Sequence, residues 1–300
     1  MIYTLTLNPA LDYVAYVESY KSGDINRTSK TTISAGGKGI NVSLVLKELD
    51  TKSVSLGFIA GFTGEEIKRQ LDESGIETDF VILKNGSSRI NVKIKSDLET
   101  DINASGPEIL NADVEKMLLS FDNLCDGDYL VLSGSVPKGV PQTIYCDIMK
   151  RLCHKKINFV VDAEGELLIS TLKYKPFLIK PNHHELGAIF NTEITDNASA
   201  IHYIKKLQEM GATNVLVSMG KDGAVFVSEN GDILSSPSPK GQLINSTCAG
   251  DSMVAGFIAG YIKENSFDYA LRLGICSGSA TAFSEGLGNK EKIFNLLESL

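Results

Sequence analysis

The chain has 300 residues, of which 43% are hydrophobic and 22% are charged, and its formal net charge is −8. A chain of this size and composition buries a core of its own as one large domain or two small ones, without disulfide bonds or a structural metal. The acidic balance, with no basic stripe, excludes the nucleic-acid-binding classes of protein.

The sequence also lacks the features of a secreted or membrane protein. The N-terminal segment has no basic leader, and the longest apolar run, residues 253–262, is too short to cross a bilayer. The five cysteines include no C-x-x-C pair, and the four histidines form no zinc-binding pattern. We therefore expect a cytoplasmic protein with free thiols and with no membrane or nucleic-acid partner.

Short apolar runs rich in β-branched residues alternate with helical patterns along the chain. Predicted helices start at a capping-box pattern at residues 63–66 and at Pro141, and the chain from Ala249 to its end is almost entirely helical. This alternation predicts an α/β fold with a mostly parallel sheet covered by helices on both faces. The predicted strands are Ile2–Leu7, Ser53–Phe58, Tyr129–Leu132, Phe159–Val161, Phe177–Ile179 and Val215–Val217.

Two segments, residues 12–33 and about 88–103, follow a different pattern with a period of two. Ile90, Val92 and Ile94 alternate with polar side chains, which indicates a strand with one face in water. We expect these segments to form a small β lid on a single domain that spans residues 1–300.

Glycines precede a predicted helix at residues 34–41, Ser-Ala-Gly-Gly-Lys-Gly-Ile-Asn. Their spacing fits neither a Walker A motif nor a dinucleotide fingerprint. A glycine pair alone is more often a tight turn. With Lys38 in the loop and Asn41 in the first turn, however, the segment offers backbone N–H groups, a cation and an amide to a hydroxylated, charged ligand.

Two further segments follow predicted strands, at the sheet edge where α/β folds bind ligands. In Lys180-Pro-Asn-His-His-Glu, Asn182 and Glu185 share a helix face, so they suit either a hydrated Mg²⁺ or an N-terminal capping box. The glycine-rich Ser-Met-Gly-Lys-Asp-Gly at residues 218–223 suits either a nucleotide contact or a plain hairpin turn.

Small residues at 245–251, Asn-Ser-Thr-Cys-Ala-Gly-Asp, lead directly into an apolar helix. The free N–H groups and the positive dipole end of a helix N-terminus favour an anion there, and Gly250 lets a phosphate approach the backbone. Asp251 in the first turn is either a functional carboxylate or a residue that only complements the dipole.

The order and spacing of these segments, with Asn8-Pro-Ala-Leu-Asp12 ahead of them, resemble the PfkB family of ribokinase-like carbohydrate kinases over almost the whole chain. Residues 89–94, 99–103, 106–107 and 133–139 are most similar to the fructose 1-phosphate kinases of that family, with tagatose-6-phosphate kinases as the close alternative. The resemblance implies a three-layer αβα fold and phosphorylation of fructose 1-phosphate to fructose 1,6-bisphosphate, with ATP and Mg²⁺.

The resemblance also implies roles for single residues. Asp251 is the expected general base, with a pKa lowered by the helix dipole, and the N–H groups of Ala249 and Gly250 stabilise the transferring phosphoryl group. Mg²⁺ is expected near Asn182 and Glu185 through water, and a homodimer through the β lid. The implied substrate-binding residues are Asp12, Gly37, Lys38, Asn41, Arg89, Arg27 and Ser135, and the implied ATP-binding residues are Ser218, Gly220, Gly223, Lys180, Asn182 and Gly250.

One residue departs from the family pattern. The loop that usually reads Gly-Ala-Gly-Asp has Cys248 in its first position. If that position needs a positive φ, the side chain costs about 1 kcal/mol or more in strain, and a thiol at a helix N-terminus is expected to have a low pKa. This residue supports an alternative of another class, a catalytically impaired sugar-phosphate or nucleotide sensor. A nucleoside kinase of the same fold is a further alternative, but it should lack cations such as Arg89.

Overall fold

Thirteen strands and ten α-helices build the fold, and the computed structural model describes all of residues 1–300. In chain order the strands are β1 (Ile2–Thr6), β2 (Ala10–Tyr16), β3 (Lys30–Gly36), β4 (Ser53–Ala60), β5 (Glu77–Leu83), β6 (Arg89–Lys95), β7 (Thr100–Asn103), β8 (Tyr129–Ser133), β9 (Asn158–Asp162), β10 (Leu178–Ile179), β11 (Asn214–Ser218), β12 (Ala224–Val227) and β13 (Ile233–Ser236). The helices are α1 (Lys38–Glu48), α2 (Gly61–Glu73), α3 (Asn111–Ser120), α4 (Ile144–Arg151), α5 (Gly165–Ile169), α6 (His183–Ile189), α7 (Asn197–Glu209), α8 (Ala249–Glu264), α9 (Phe267–Ala282) and α10 (Lys290–Ser299).

Nine strands form one large sheet in the order β13-β12-β11-β10-β9-β8-β1-β4-β5. Neighbouring strands are parallel except at one edge, where β12 pairs antiparallel with β11 and β13. Parallel neighbours need a crossover connection, and the intervening helices supply it. The six predicted strands are all present, with ends displaced by at most two residues.

The central strands are buried on both faces of this sheet. In β8, Leu130 and Leu132 pack into one hydrophobic core, whereas Val131 between them packs into a second. Residues of α3 to α7 complete the first core, and residues of α1, α8, α9 and α10 complete the second. The large sheet is therefore the middle layer of an αβα arrangement, which confirms the predicted fold class.

The other four strands form a separate sheet, β3-β2-β6-β7, called the lid sheet below. Its β2 pairs antiparallel with β3 and parallel with β6, and β6 pairs antiparallel with β7. At its base, Leu11 and Ala35 pack against Ile67 and Leu71 of α2. Because β3 ends at Gly36 and α1 begins at Lys38, the lid sheet is connected directly to the glycine-containing segment at residues 34–41.

Two predicted helix starts are wrong. α2 begins at Gly61, and Thr63 Oγ1 does not cap it but donates to the carbonyl oxygen of Ser88 at 2.7 Å. α4 begins at Ile144, whose N–H donates to the carbonyl of Pro141 in a preceding turn. The Thr63 hydroxyl is used by a tertiary hydrogen bond, and the Pro141 carbonyl is used by a turn. Neither group is therefore part of the helix start that the local pattern predicted. None of the helices is both long and apolar enough to span a membrane.

Candidate active site

The carboxyl ends of β1, β8 and β9 border a cavity of about 530 Å³. Their last residues, Thr6, Ser133 and Asp162, are in register across the sheet. The strand order reverses between β1 and β8, since the chain runs from β1 toward β5 and later from β8 toward β13. Open α/β sheets bind ligands at such a reversal. The polar lining of the cavity includes Asn8, Lys38, Arg89, Ser135, Gln142 and Glu164.

Helix α1 starts against the end of β1 because its second residue, Gly39, has no side chain. A Cβ on Gly39 would lie 2.6 Å from Thr6 Oγ1 and 2.7 Å from the carbonyl oxygen of Leu5, so only glycine fits there. The N–H of Ile40 then donates to Thr6 Oγ1 at 2.9 Å. This close approach brings Lys38, at the start of α1, to the cavity wall.

A buried carboxylate, Asp162, joins two lysines beside the cavity. Its Oδ1 lies 3.2 Å from Lys180 Nζ, and its Oδ2 lies 3.5 Å from Lys38 Nζ. Burial acts to raise the pKa of Asp162, but the two ammonium groups hold it below its usual range. Sequence reasoning missed Asp162, although its position directly after a buried strand pointed to the same edge of the sheet.

Asp251 lies in the first turn of α8 and is only 5% exposed. Its Oδ2 accepts a hydrogen bond from Asn41 Nδ2 at 2.8 Å. Burial, reinforced by the negative charge of Asp162, raises the pKa of Asp251 to about 7, against the opposing effects of Asn41, Lys38 and Lys180. The expectation that the helix dipole lowers this pKa is wrong, because the loss of solvation outweighs the dipole.

Two backbone amides beside this carboxylate are free to bind an anion. The N–H groups of Gly250 and Asp251 have no acceptor within the chain, as expected for the first turn of a helix. The N–H of Ala249 makes a long 3.4 Å hydrogen bond to the carbonyl oxygen of Ser246. A Cβ on Gly250 would lie 3.1 Å from Lys180 Nζ, so the loop also has an ammonium group next to it.

Cys248, directly before α8, adopts the left-handed conformation with a φ of 66°. Its Sγ lies 3.2 Å from Asn41 Nδ2. Burial, followed by the charge of Asp251, raises the pKa of the Cys248 thiol to about 12. The expectation of a low-pKa thiol is therefore wrong, since a buried thiolate beside a carboxylate is unfavourable.

The polar face of the lid sheet carries a third aspartate of the site, Asp12. Asp12 Oδ1 accepts from Asn91 Nδ2 at 3.0 Å, and Asp12 Oδ2 accepts from Lys93 Nζ at 2.9 Å. Gly36 faces the same carboxylate, because a Cβ there would lie 2.8 Å from Asp12 Oδ2. Sequence reasoning gave Asn91 and Lys93 no role, although the period-two pattern put both on one face.

Four residues of the predicted substrate site remain, and they lie in different places. Gly37 lines the cavity. Arg89 is half-buried on the cavity wall, where its Nε donates to the carbonyl oxygen of Asn8 at 3.1 Å and burial lowers its pKa. Ser135 also lines the cavity. Arg27 lies exposed in the loop between β2 and β3 and does not line the cavity of its own chain.

Residues 5–293 match the family model described as "pfkB family carbohydrate kinase". The chain belongs to the PfkB family. A 1-phosphofructokinase of Bacillus subtilis is 48% identical over 99% of this chain and 97% of its own length. A D-tagatose-1-phosphate kinase of Bacillus licheniformis is 37% identical over 98% of this chain and 96% of its own. The solved structure of phosphofructokinase-2 from Escherichia coli, in complex with substrates and products, matches with a TM-score of 0.94 and 26% identity over 100% of this chain and 99% of that one.

These matches confirm the PfkB resemblance that the sequence motifs carried. Asn182 and Glu185, implied metal contacts of that resemblance, form a capping box on α6. Asn182 Oδ1 accepts from the N–H of Glu185 at 2.9 Å, and Glu185 Oε2 accepts from the N–H of Asn182 at 2.8 Å. The chain has no group of three or more His, Cys, Asp or Glu side chains that could hold a metal ion. The side chains of Asn182 and Glu185 are therefore engaged in capping α6.

The glycine-rich turn at residues 218–223 is a hairpin between antiparallel β11 and β12. Its single 3₁₀ turn spans Gly220–Asp222, and Gly223 has a φ of 95° with no room for a Cβ beside the carbonyl of Ser236. Asn182 forms an isolated β-bridge with Ser218. The two segments of this PfkB chain that were predicted to bind ATP are therefore adjacent in space.

Proposed function

We propose that this PfkB kinase transfers the γ-phosphoryl group of ATP to a hydroxyl group of fructose 1-phosphate, giving fructose 1,6-bisphosphate and ADP. One observation carries the proposal. The buried carboxylate of Asp251 stands at a helix start whose Gly250 and Asp251 N–H groups are unpaired, next to Lys180. That arrangement combines a proton acceptor with donors for a phosphoryl group.

Asp251 acts as the general base. Its pKa of about 7 lies near neutral pH, where a base combines a substantial ionised fraction with useful proton affinity. The acceptor oxygen attacks the γ-phosphorus, the bond from that phosphorus to the ADP oxygen breaks, and the hydroxyl proton passes to Asp251. The N–H groups of Gly250 and Asp251 donate to the transferring group, while Ala249 stays bonded to Ser246.

The sugar phosphate binds between the lid sheet and the start of α1. The Asp12 carboxylate, held by Asn91 and Lys93, accepts from sugar hydroxyls, and Gly37 allows close approach of the sugar to the loop. Arg89 and Lys38 on the cavity wall favour an acceptor that carries a phosphate, which argues against a nucleoside as the substrate.

ATP lies along residues 218–223, with Ser218, Gly220 and Gly223 near the nucleotide and Lys180 and Asn182 toward its phosphates. Mg²⁺ fits as an ion carried by the nucleotide, with Asn182 and Glu185 contacting its waters, since Mg²⁺ usually keeps several waters and binds substrate phosphates. When bound, it neutralises negative charge on the phosphate oxygens.

Tagatose 1-phosphate is the second candidate substrate. The 37% identity to a D-tagatose-1-phosphate kinase favours it, and it replaces the tagatose 6-phosphate that the sequence motifs suggested as the close alternative. The two ketose 1-phosphates differ only in the configuration of one hydroxyl, so discrimination rests on contacts such as those of Asp12.

A coupled assay of ADP release tests the proposal over fructose 1-phosphate, tagatose 1-phosphate, tagatose 6-phosphate, free fructose and a nucleoside. We expect the highest kcat/KM for fructose 1-phosphate and at least about 100-fold less for unphosphorylated acceptors. A preference for a free sugar or a nucleoside would reject the proposal. Nucleotide binding without turnover on any acceptor, in the wild type as in Asp251→Asn, would establish a sensor instead.

The outer face of the lid sheet supports a homodimer. Ile33, Tyr13, Val92 and Ile102 lie directly opposite one another on successive strands, on the face away from Asp12. Ile33 and Ile102 are 53% and 56% exposed. An apolar row across a whole sheet is unfavourable in water, and a second copy of the chain presents the same row to cover it.

A further inference from the structure

Asn41 connects the two helix starts of the site. It lies in the first turns of α1 and is only 7% exposed. Its side chain reaches across to the start of α8, where it meets both Asp251 and Cys248. The glycine-containing segment at residues 34–41 and the loop at residues 245–251 are thus joined by one amide group, although Asn41 and Asp251 are 210 positions apart in the chain.

Both N–H donors of the Asn41 amide are used inside the chain. One contacts Asp251 Oδ2 at 2.8 Å, and the other contacts Cys248 Sγ at 3.2 Å. The chemistry determines this orientation, because a flipped amide would set its carbonyl oxygen against a carboxylate. The carbonyl oxygen itself makes no hydrogen bond within the chain and is not sealed from solvent. Asn41 can therefore offer a sugar an acceptor but no donor.

Among the side chains around Asp251, only Asn41 donates a hydrogen bond to its carboxylate. Asp162, Lys38, Lys180 and the Cys248 thiol face this carboxylate. Both lysines make their close contacts with Asp162, at 3.2 and 3.5 Å, and Asp162 itself repels a second negative charge. A hydrogen bond from a neutral amide to a carboxylate stabilises the ionised form most.

We propose that Asn41 is a positioning residue that orients the Asp251 carboxyl group and favours its ionised form by donating a hydrogen bond to it, and that presents only its carbonyl oxygen to the sugar. The inference deepens the proposed function and rests on it for the role of Asp251 as the base. It differs from the role in sugar binding alone that the PfkB resemblance implies for Asn41.

A direct titration of Asp251 tests this role without any turnover. The ¹³Cγ resonances of selectively labelled aspartates are followed with pH, and the Asp251 signal is assigned by its loss in Asp251→Asn. Asn41→Leu keeps the volume but removes the donor, and Asn41→Asp keeps the size and an acceptor. We expect the pKa of Asp251 to rise by about one unit or more in both variants.

Ser43→Ala is the matched control for these variants. Ser43 lies on the same helix, is fully buried and bonds to Thr4 and Ser53, but it does not contact Asp251. We expect it to lower stability while leaving the Asp251 titration in place. A general loosening of α1 would instead move the titration in Ser43→Ala as well, and that result would overturn the proposal.

Kinetics give the second arm of the test. In Asn41→Asp we expect kcat to fall at least about 5-fold at pH 7 and its acid limb to move upward, with the KM for ATP unchanged. An unmoved Asp251 titration with a raised KM for the sugar phosphate would assign Asn41 to the sugar alone and reject the proposal. Absence of wild-type turnover on every acceptor would reject the proposed function, whereas the titration would still decide whether Asn41 controls Asp251.

Discussion

Cys248 has a strained backbone conformation, but its side chain points away from the free amides that follow it. Its left-handed backbone, with a φ of 66°, costs an L-residue about 1–2 kcal/mol. That backbone starts α8 where its first N–H groups remain unpaired. The thiol is turned toward Asn41, while Gly250 faces Lys180. The side chain that replaces the usual glycine therefore leaves the amides of Gly250 and Asp251 uncovered.

The free energy of unfolding of Asp251→Asn is expected to increase relative to that of the wild type as the pH rises. Since folding raises the pKa of Asp251 from its ordinary value of 3.8 to about 7, the fold favours the protonated form. The stability it contributes is complete below the unfolded pKa and is lost as pH rises through about 7. Asparagine stays neutral, so the variant should gain about 2–3 kcal/mol over the wild type between pH 5 and pH 8, since part of the loss already occurs between the unfolded pKa and pH 5.

Urea unfolding at pH 5 and pH 8 measures this difference, and kcat of the same variant should fall about 10²- to 10⁴-fold. Comparing variant with wild type at each pH cancels the titration of all other groups. An equal stability difference at the two pH values would show that the Asp251 carboxyl does not titrate in this range.

Arg89→Ala is expected to raise the KM for the sugar phosphate about 10- to 100-fold and to leave the KM for ATP nearly unchanged. The reason is that Arg89 is half-buried on the wall of the cavity, which residues 218–223 do not line. Arg69→Ala is the matched control, because Arg69 pairs only with Glu66 and Glu73 on the exposed face of α2. Steady-state kinetics with each substrate varied in turn gives both constants. Equal effects on the two KM values would remove Arg89 from the substrate site.

At the scale of elements, the contact between α1 and β1 sets the geometry of the site. Gly39→Ala should cost roughly 1–3 kcal/mol, because its Cβ would meet the Leu5 carbonyl at 2.7 Å and force the helix away from the strand. The same shift should lower kcat/KM, since Lys38 and Asn41 move with α1. Chemical unfolding and steady-state kinetics measure the two effects.

Gly286→Ala is the control for that substitution. Gly286 is exposed, has no positive φ, and a Cβ there would meet nothing within 4 Å. Its free energy of unfolding should change by no more than about 0.5 kcal/mol. If Gly39→Ala behaved like this control, the close packing of α1 on β1 would not be needed.

The element scale also shows which local patterns could be read from sequence. The six predicted strands of the large sheet were identifiable because burial of their apolar side chains leaves short runs of β-branched residues in the sequence. The start of α2 was not, because Thr63 bonds to Ser88, which is remote in the chain. A capping pattern reports what a helix start can use locally, and tertiary partners compete for the same groups.

At the scale of the whole molecule, the proposed homodimer depends on the outer face of the lid sheet. Ile33→Asp is expected to convert a dimer into monomers, because a carboxylate in the apolar row of Ile33, Tyr13, Val92 and Ile102 would be buried without a partner. Ile233→Asp, at the β13 edge of the large sheet, is the control with a similar exposure of 46%. Sedimentation velocity over a concentration series separates the two outcomes. A monomeric wild type would contradict the proposed dimer.

The sequence by itself determined the layer architecture and the family, because these follow from periodic burial and from the glycine positions near Lys38 and Asp251. Of the residues that line the cavity, it pointed to Gly37, Lys38, Arg89 and Ser135. Only the tertiary structure decided the electrostatics. Lys38, Asp162, Lys180 and Asp251 come from four distant segments, and their mutual distances exist only after folding. The pKa of Asp251 rises instead of falling because its solvation depends on what surrounds α8, and residue order along a helix does not contain that quantity.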